Sequence, residues 1–196
     1  LDCIPFRIGC VRDDARTFLS TIESQLLRAD AVITTGGVSM GAYDTVKEVL
    51  SRVGTMRFDK VAMQPGMPQG FGVLGDDEVP VFTLPGNPVS AMVSFEVFVA
   101  PALRVMAGRA QHEVPLVTAV ATHDWTTPAG KVQFARVVLS RSRSGHSVAI
   151  AGLQGSHALG SLAGANALAV IPAEVTVVRA GDHVRCHALG PIVEAP

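Results

Sequence analysis

The sequence has 196 residues, of which 48% are hydrophobic and 17% are charged, and its formal net charge at pH 7 is −1. This composition is typical of a soluble protein with a sizeable core, and the near-neutral charge predicts no broad attraction to nucleic acid or anionic membranes. We expect neither an uninterrupted apolar run of membrane-spanning length nor a secretory signal, so the expected location is cytoplasmic. Three cysteines without a C-x-x-C motif indicate neither a disulfide framework nor a zinc site.

The chain begins with a strand pattern followed by a helix pattern. Residues 4–10 alternate apolar side chains with others, which predicts a strand. Asp13 or Asp14 can cap the next helix, because either carboxylate can accept a backbone N–H at a helix start. Apolar residues recur on one helical face across residues 15–26, so we expect an inward-packing helix there.

A glycine-rich turn lies between the next strand and helix. Residues 31–34 are a short β-branched run typical of a strand, and a helical pattern starts at Thr45 and stops at Gly54. Backbone N–H groups in the turn at residues 36–44 can bind an oxyanion such as phosphate. The spacing fits neither a dinucleotide-binding fingerprint nor a P-loop. The pattern alone therefore leaves open whether this turn binds an anion or only redirects the chain.

The middle of the first hundred residues predicts a loop and a hairpin. Residues 57–63 are typical of a strand and lead into a proline- and glycine-rich loop at residues 64–70. Residues 71–74 and 81–84 flank a polar turn and predict two hairpin strands.

A second strand–turn–helix unit follows. The prolines within residues 85–88 cannot continue the preceding strand, because they lack an N–H and restrict their neighbours. Residues 89–106 then predict a helix that is apolar around most of its circumference and therefore buried, with a kink at Pro101. The strand and helix order predicts a parallel sheet. We therefore expect the turns at residues 36–44 and 85–88 to share one edge, where open α/β sheets bind ligands.

The pattern changes near residue 110. From residue 114 onward, short β-rich segments alternate with turns, which predicts a small barrel or sandwich. We expect two domains, at residues 1–110 and 111–196. The predicted strands of the second domain lie at residues 114–121, 132–139, 148–151, 168–171 and 184–187.

Three motifs stand out in the first domain. They are Thr-Gly-Gly-Val-Ser-Met-Gly at residues 35–41 with Tyr-Asp at 43–44, Pro-Gly at 65–66, and Leu-Pro-Gly-Asn-Pro-Val-Ser-Ala at 84–91. In this order and spacing they resemble the molybdopterin molybdenumtransferase family, which includes MoeA and part of gephyrin. The resemblance covers residues 3–193. It implies an α/β fold, with a truncated MoaB/MogA-like open sheet domain followed by a small all-β barrel domain. It also implies that another strand and helix, and two further domains, precede Leu1 in a longer polypeptide.

The resemblance implies a transferase of molybdenum cofactor biosynthesis that inserts molybdate into adenylylated molybdopterin and releases AMP. It implies that Asp44 holds Mg²⁺ near the pyrophosphate and that Lys47 meets a phosphate, so that both act in catalysis. Arg136 and Ser156 match residues that line a molybdate pocket at the domain boundary. The substrate-binding residues carried over from the motifs are Gly36, Gly37, Ser39, Gly41, Pro65, Gly66, Pro85, Gly86, Asn87, Pro88 and Ser90.

The same resemblance implies a homodimer in the full-length protein and an encounter with the molybdopterin adenylyltransferase. We expect no nucleic-acid or membrane partner. Two other functions stay open at this point. One is adenylylation of molybdopterin itself, and the other is a non-catalytic oligomeric scaffold of the gephyrin type.

Two features of the expected site also have simpler interpretations. The family usually carries lysines where this chain has Gln64 and Met67, so the Pro-Gly loop lacks charge for an oxyanion and can instead brace neighbouring turns. Arg136 lies among apolar residues of a predicted strand. Without an anionic partner, it would be a surface arginine whose charged end reaches solvent.

Overall fold

A computed structural model of the chain describes residues 1–12, 14–38, 45–111, 113–156 and 158–195. The chain divides into two compact units. The first unit contains residues 1–61 and 66–109, and the second contains residues 62–65 and 110–196.

The first unit is built on a four-stranded mixed sheet with the strand order β1-β5-β4-β2. Its strands are β1 (Val32–Thr35), β2 (Arg57–Lys60), β4 (Pro68–Leu74) and β5 (Val79–Leu84), whereas β3 (Met63–Gln64) belongs to the second unit. The predicted α/β class and the predicted β4–β5 hairpin are confirmed. Only β1 and β5 are parallel, because β4 returns to β5 through a tight turn instead of a crossover helix.

Two helices supply much of the core of this unit. Helix α1 (Ala15–Leu26) confirms the prediction, and the Asp14 carboxylate accepts the Thr17 N–H at 2.9 Å as its N-cap. Asp13, the other predicted cap, lies outside the described residues. Helix α2 (Thr45–Leu50) is six residues long. The core cluster shared by these helices and the sheet contains Phe18, Ile22, Val32, Val49, Leu50, Leu74, Val79 and Val81.

The strand predicted at residues 4–10 is wrong. Residues 1–12 contain no strand, and the alternating side chains of Ile4, Phe6 and Ile8 are 81%, 62% and 46% exposed. An alternating apolar pattern specifies a strand only when a neighbouring strand takes up its hydrogen bonds. No described strand pairs with this segment, so the alternating pattern does not produce a strand here.

The last helical stretch of the first unit runs from Pro88 to Met106 in three pieces. Helix α3 (Pro88–Ser94) passes into a π-helical turn (Phe95–Val99) and then into α4 (Ala100–Met106). In the π-helical turn the Ala100 N–H donates to the Phe95 carbonyl, five residues back. The widened turn lies directly before Pro101, which has no N–H to continue the regular ladder.

This stretch is less buried than the sequence predicts. It is 19 residues long with a mean hydropathy of 1.6, and 33% of it is buried. By length and composition alone it could cross a membrane, although Glu96 and Arg104 interrupt its apolar run. A core helix passes the same test, and here Phe95, Val99 and Leu103 pack against Phe82 and Leu84 of β5.

The second unit confirms the predicted small barrel. Strands β8, β10, β12, β6 and β9 pair in that order, and the β8–β9 pairing closes the ring. The strands of this unit are β6 (Leu116–Ala121), β7 (Trp125–Thr126), β8 (Val132–Ser142), β9 (Gly145–Ile150), β10 (Ala167–Ile171), β11 (Val177–Val178), β12 (His183–Ala188) and β13 (Val193–Glu194), with one helix, α5 (Leu159–Ala163). Small and branched side chains fill the ring, among them Ala135, Val137, Leu139, Ala169 and Cys186.

Residues 62–65 lie in the second unit, although we predicted them in the first domain. Met63 and Gln64 form β3 and pair in parallel with Val132 and Gln133 of β8. The Val132 N–H also donates to the Ala62 carbonyl at 2.9 Å. The paired residues of β3 and β8 are about seventy positions apart in the sequence. Because local residue patterns carry no information about such a distant partner, the sequence did not predict this pairing.

Candidate functional site

The two predicted turns meet at one edge of the first unit's sheet. Strands β1 and β5 are parallel neighbours, with Thr35 in register with Leu84, so both chains leave the sheet side by side. The Gly36 N–H donates to the Leu84 carbonyl at 2.9 Å and extends the ladder by one bond. A Cβ built on Gly86 would lie 3.3 Å from the Gly36 Cα. We call Gly36, Gly37 and Gly86 the glycine rim.

The glycine rim depends on backbone shapes that other residues rarely adopt. Gly36 and Gly37 have φ values of +89° and +73°, in the left-handed region where a side chain would be strained. Pro85 is buried beside the rim, whereas Gly86, Asn87 and Pro88 are exposed. Among the described residues, a Cβ built on Gly36 or Gly86 meets only the backbone of the other glycine, so a ligand can approach the main chain closely there.

Two buried hydroxyls lie directly below the rim. Thr34 on β1 and Thr83 on β5 are in register, and neither hydroxyl oxygen has a hydrogen-bond partner among the described residues. Both point to the sheet face that Val32 and Val81 share, because alternate strand residues lie on one face. Buried hydroxyls without partners cost free energy, about 1–3 kcal/mol each.

Several predicted site residues lie outside the described part of the chain. These are Ser39, Gly41 and Asp44, so the structure does not test the magnesium ligand. Lys47 is described and exposed on α2, with its ammonium 6.0 Å from the centre of the Phe58 ring on β2. Strand β2 is the sheet edge farthest from β1, so in this structure the ammonium is aimed away from the glycine rim.

The Pro-Gly loop is braced by neutral hydrogen bonds. Pro65 and Gly66 are both buried, and Gly66 has a φ of +98°. The Gln69 amide nitrogen donates to the Gly66 carbonyl and to the Ser94 hydroxyl, each at 2.5 Å. Gln69 is a residue that the motif analysis missed. These contacts favour the interpretation of the loop as a brace.

The start of helix α3 contributes one buried and one exposed polar residue. Asn87 is exposed, and its carbonyl accepts the Ala91 N–H at 2.9 Å, which is the first helical bond. Ser90 is only 4% exposed and lies on the inner side of the helix. Of the two, Asn87 is the residue whose side chain can reach a ligand at the rim.

Arg136 in the second unit is almost completely buried, so the interpretation as a surface arginine is wrong. Its exposure is 1%. The guanidinium donates from Nε to the Ser161 hydroxyl at 2.9 Å, and from Nη2 to the carbonyls of Leu153 and Gly155 at 2.8 and 3.1 Å. Every one of these acceptors is neutral.

The charge of Arg136 is therefore not compensated by the part of the chain that is described. None of the ion pairs formed by described residues includes Arg136. Burial lowers the pKa of the Arg136 guanidinium, since removal from water disfavours the cation. Within the described residues, Nη1 has no bonded acceptor. A buried cation held by neutral oxygens and with donors left over is a suitable partner for an oxyanion.

A single loop provides most of the contacts to Arg136. Residues 151–156, which we call the capping loop, follow β9, and their backbone carbonyls reach the guanidinium as described above. Ser156 is half-buried in this loop. The serine that bonds Arg136 is Ser161 of α5, which is 7% exposed and which the sequence analysis did not single out. No sequence signal distinguishes Ser161 from its neighbours, because the contact depends on how the loop folds back.

Metal-binding chemistry is not evident among the described residues. Within them, no group of three or more His, Cys, Asp or Glu side chains could hold a metal ion. The polar features of the described residues are instead suited to anions and neutral polar groups.

Comparison with known proteins agrees with this combination of fold and site. Residues 2–105 match the family described as "Probable molybdopterin binding domain". Residues 118–189 match the family described as "MoeA C-terminal region (domain IV)". The first unit is thus a molybdopterin-binding type of α/β domain, and the second a MoeA-type barrel. The chain belongs to the MoeA family.

Relatives at the level of sequence carry names of the same kind. The chain is 44% identical over 179 residues to "Molybdopterin molybdenumtransferase 2" of Mycobacterium tuberculosis, a match that covers 88% of this chain and 43% of the relative. It is 35% identical to the molybdopterin molybdenumtransferase of Haemophilus influenzae, a match that covers 94% of this chain and 46% of the relative. It is 31% identical to gephyrin of Dictyostelium discoideum, a match that covers 94% of this chain and 29% of the relative. The chain therefore spans less than half the length of each of these relatives.

The solved structures give the same result. The chain superimposes on the molybdopterin biosynthesis MoeA protein of Pyrococcus horikosii with a TM-score of 0.72 and 28% sequence identity, over 93% of this chain and 43% of that one. A molybdenum cofactor biosynthesis protein of Pyrococcus furiosus gives a TM-score of 0.70 at 27% identity.

Proposed function

We propose that this chain acts in molybdenum cofactor biosynthesis as the molybdopterin-binding part of a molybdopterin molybdenumtransferase. The proposed reaction inserts molybdate into adenylylated molybdopterin and releases AMP. The observation that carries this proposal is the contact of Gly36 with Gly86, which joins the two motif turns into one open backbone surface. Membership of the MoeA family and the names of the relatives support the same reaction.

The glycine rim is suited to the nucleotide-linked pterin. Within the described residues, Gly36 and Gly86 present backbone without side chains, and a phosphate can be bound by main-chain N–H groups in such turns. Anhydride cleavage needs water as the attacking group, leaving one phosphate on the pterin and the other on the departing AMP. The rim would hold the phosphates in place for this step, and Asn87 would contact the ligand from the second turn.

Molybdate is the second proposed substrate, and Arg136 is its proposed partner. The buried guanidinium lacks a carboxylate partner among the described residues, and its Nη1 has donors to spare. An oxyanion there would compensate the charge that the protein leaves unpaired. Ser156 of the capping loop is a further proposed contact to molybdate.

Magnesium is the proposed cofactor, with Asp44 as its ligand. A carboxylate beside substrate phosphates is the donor set that Mg²⁺ commonly uses, and the ion would supply charge neutralisation for the pyrophosphate. Lys47 is the proposed second cation near the phosphates. To reach them, its side chain would have to turn from its present direction toward Phe58.

The second unit favours molybdate insertion over adenylylation of molybdopterin. Its match to the MoeA C-terminal region covers residues 118–189, and its barrel supplies a buried arginine as a second anion partner in addition to the glycine rim. For the protein that carries this chain we also propose a homodimer.

The proposed reaction is tested by the release of AMP. Purified protein is incubated with adenylylated molybdopterin and Mg²⁺, with and without molybdate, and free AMP is measured by chromatography. We expect AMP release that requires molybdate and is lost in Asp44→Asn. AMP transfer from ATP to molybdopterin would instead identify an adenylyltransferase, and absence of both products together with no AMP binding would contradict the proposal.

A further inference from the structure

Two side-chain amides continue the hydrogen-bond ladder of β8 where its neighbouring strands end. On one side, β9 ends at Ile150, the partner of Val137. Beyond that point the Ala151 N–H still donates to the Arg136 carbonyl at 2.9 Å, and the Gln154 side chain completes the pairing. Its Oε1 accepts the Arg136 N–H at 2.8 Å, and its Nε2 donates to the Arg136 carbonyl at 3.1 Å.

The second amide lies on the other side of β8. There β10 begins at Ala167, which pairs with Val137. The Asn166 side chain accepts the Leu139 N–H at 2.7 Å and donates to the Leu139 carbonyl at 2.9 Å. Gln154 and Asn166 thus make the same pair of bonds, but only Gln154 makes them to Arg136.

The position of Gln154 in the capping loop connects the Arg136 backbone to the Arg136 side chain. Gln154 binds the Arg136 backbone, while the carbonyls of its two sequence neighbours, Leu153 and Gly155, bind Nη2 of the same arginine. The three consecutive residues 153–155 therefore bind both the backbone and the guanidinium of Arg136. Without the two bonds of the Gln154 side chain, residues 153–155 would no longer be fixed beside β8. The carbonyls of Leu153 and Gly155 would then no longer be held where they orient the guanidinium.

We propose that Gln154 is a positioning residue, which fixes residues 153–155 on the Arg136 backbone and so holds the guanidinium with Nη1 free for an oxyanion. This inference rests on the proposed role of Arg136 in molybdate binding. Gln154 itself touches neither substrate. Its amide is needed as donor and acceptor together, because it accepts the Arg136 N–H beyond the end of β9 and shares the Arg136 carbonyl with the Ala151 N–H.

The test compares Gln154→Met with Asn166→Leu in the intact chain. Both changes remove an amide that bridges β8 and keep a side chain of similar size. Molybdate binding is measured by titration calorimetry, and stability by thermal unfolding. We expect both variants to lower the unfolding midpoint. We expect Gln154→Met to weaken molybdate binding by about tenfold or more, the change that loss of one well-formed hydrogen bond can cause. Asn166→Leu should bind nearly as wild type does.

A third variant, Gln154→Glu, tests the need for a donor at this position. An ionised carboxylate still accepts the Arg136 N–H but repels the Arg136 carbonyl. A carboxyl with an ordinary pKa of about 4.3 is ionised at pH 7, so Gln154→Glu should keep one of the two bonds and weaken molybdate binding as Gln154→Met does. Wild-type affinity in Gln154→Glu at pH 7 would contradict the need for a donor.

The outcomes distinguish the two proposals. If wild type binds molybdate and Gln154→Met binds it equally well, or if Asn166→Leu weakens binding as much as Gln154→Met, the positioning role is contradicted. If wild type itself binds no molybdate, the proposed role of Arg136 fails first, and the positioning role fails with it.

Discussion

The backbones of Gly36 and Gly86 approach so closely that a Cβ on Gly86 would lie 3.3 Å from the Gly36 Cα. The two residues are fifty positions apart in the sequence, and each follows a strand of the parallel pair β1–β5. This contact confirms the expectation that the two motif turns share one sheet edge. It also means that a side chain at either position would fill space that the backbone surface needs.

The first prediction concerns Gly36→Ala. Alanine at a φ of +89° should cost about 1–2 kcal/mol, and its methyl group, 4.0 Å from the Gly86 Cα, would occupy part of the surface that a ligand approaches. We expect a lower unfolding midpoint and roughly tenfold weaker AMP binding by calorimetry, a change equivalent to about 1.4 kcal/mol. Gly108→Ala is the matched control, because Gly108 has a φ of +68° and nothing within 4 Å of a built Cβ. It should destabilise similarly and leave AMP binding unchanged; equal binding losses would argue against the glycine rim.

The second prediction tests the core that supports the rim. Leu50 is 0% exposed in the cluster formed by α1, α2 and the sheet, so Leu50→Ala should lower the free energy of unfolding by about 2–5 kcal/mol in urea titrations. Leu27→Ala makes the same chemical change at a residue that is 89% exposed, and we expect a change below about 0.5 kcal/mol. Similar losses for the two variants would mean that α2 does not pack as described.

The third prediction concerns Arg136→Lys. Lysine keeps the charge but lacks the planar fork, so it cannot serve Ser161 and the two capping-loop carbonyls together. Leaving buried acceptors without donors should cost about 2–4 kcal/mol, measured by scanning calorimetry, and the molybdate requirement for AMP release should rise. Arg143→Lys, at an exposed position after β8, should change neither quantity. An unchanged molybdate requirement in Arg136→Lys would remove Arg136 from the site.

The fourth prediction concerns alkaline pH. Burial raises the pKa of the Cys186 thiol from its ordinary 9.0 to about 11, because the thiolate would lose its hydration. The folded state therefore keeps the proton to higher pH than the unfolded state. The stabilisation is complete below pH 9 and is lost as the pH rises from 9 to 11, up to about 2–3 kcal/mol at roughly 1.4 kcal/mol per pH unit.

The control for this pH dependence is Cys186→Ala. Urea titrations between pH 8 and 11 should show a steeper loss of stability for wild type than for the variant, and equal slopes would contradict the assignment. Alkylation gives an independent measurement. Cys3 and Cys10 are exposed and should react with iodoacetamide in the folded protein, whereas Cys186 should react only after unfolding.

Local signals predicted the parts of the first unit that depend on neighbours in sequence. The cap at Asp14, the strand before Gly36 and the hairpin before Pro85 all carry their information within a few residues. The segment at residues 4–10 shows the limit of such signals. Its alternation is as regular as that of a real strand, yet a strand exists only where another strand accepts its bonds.

The surroundings of Arg136 could not be predicted for a different physical reason. Its partners are backbone carbonyls and the Ser161 hydroxyl, located 17 to 25 residues further along the chain. Backbone carbonyls are present at every position, so no residue type indicates that these particular ones will meet a guanidinium. Sequence patterns favour carboxylates as partners of arginine, and here the protein uses neutral oxygens.

The β3 segment has a practical consequence for work with shorter versions of this protein. A polypeptide that starts at residue 110 would lack Met63 and Gln64. Strand β8 would then lose its parallel neighbour at Val132 and Gln133. Met63 is 3% exposed, so the excision would also remove a buried apolar side chain. An isolated barrel will need these four residues, 62–65, grafted back onto it, and a single cut between the units yields two incomplete pieces.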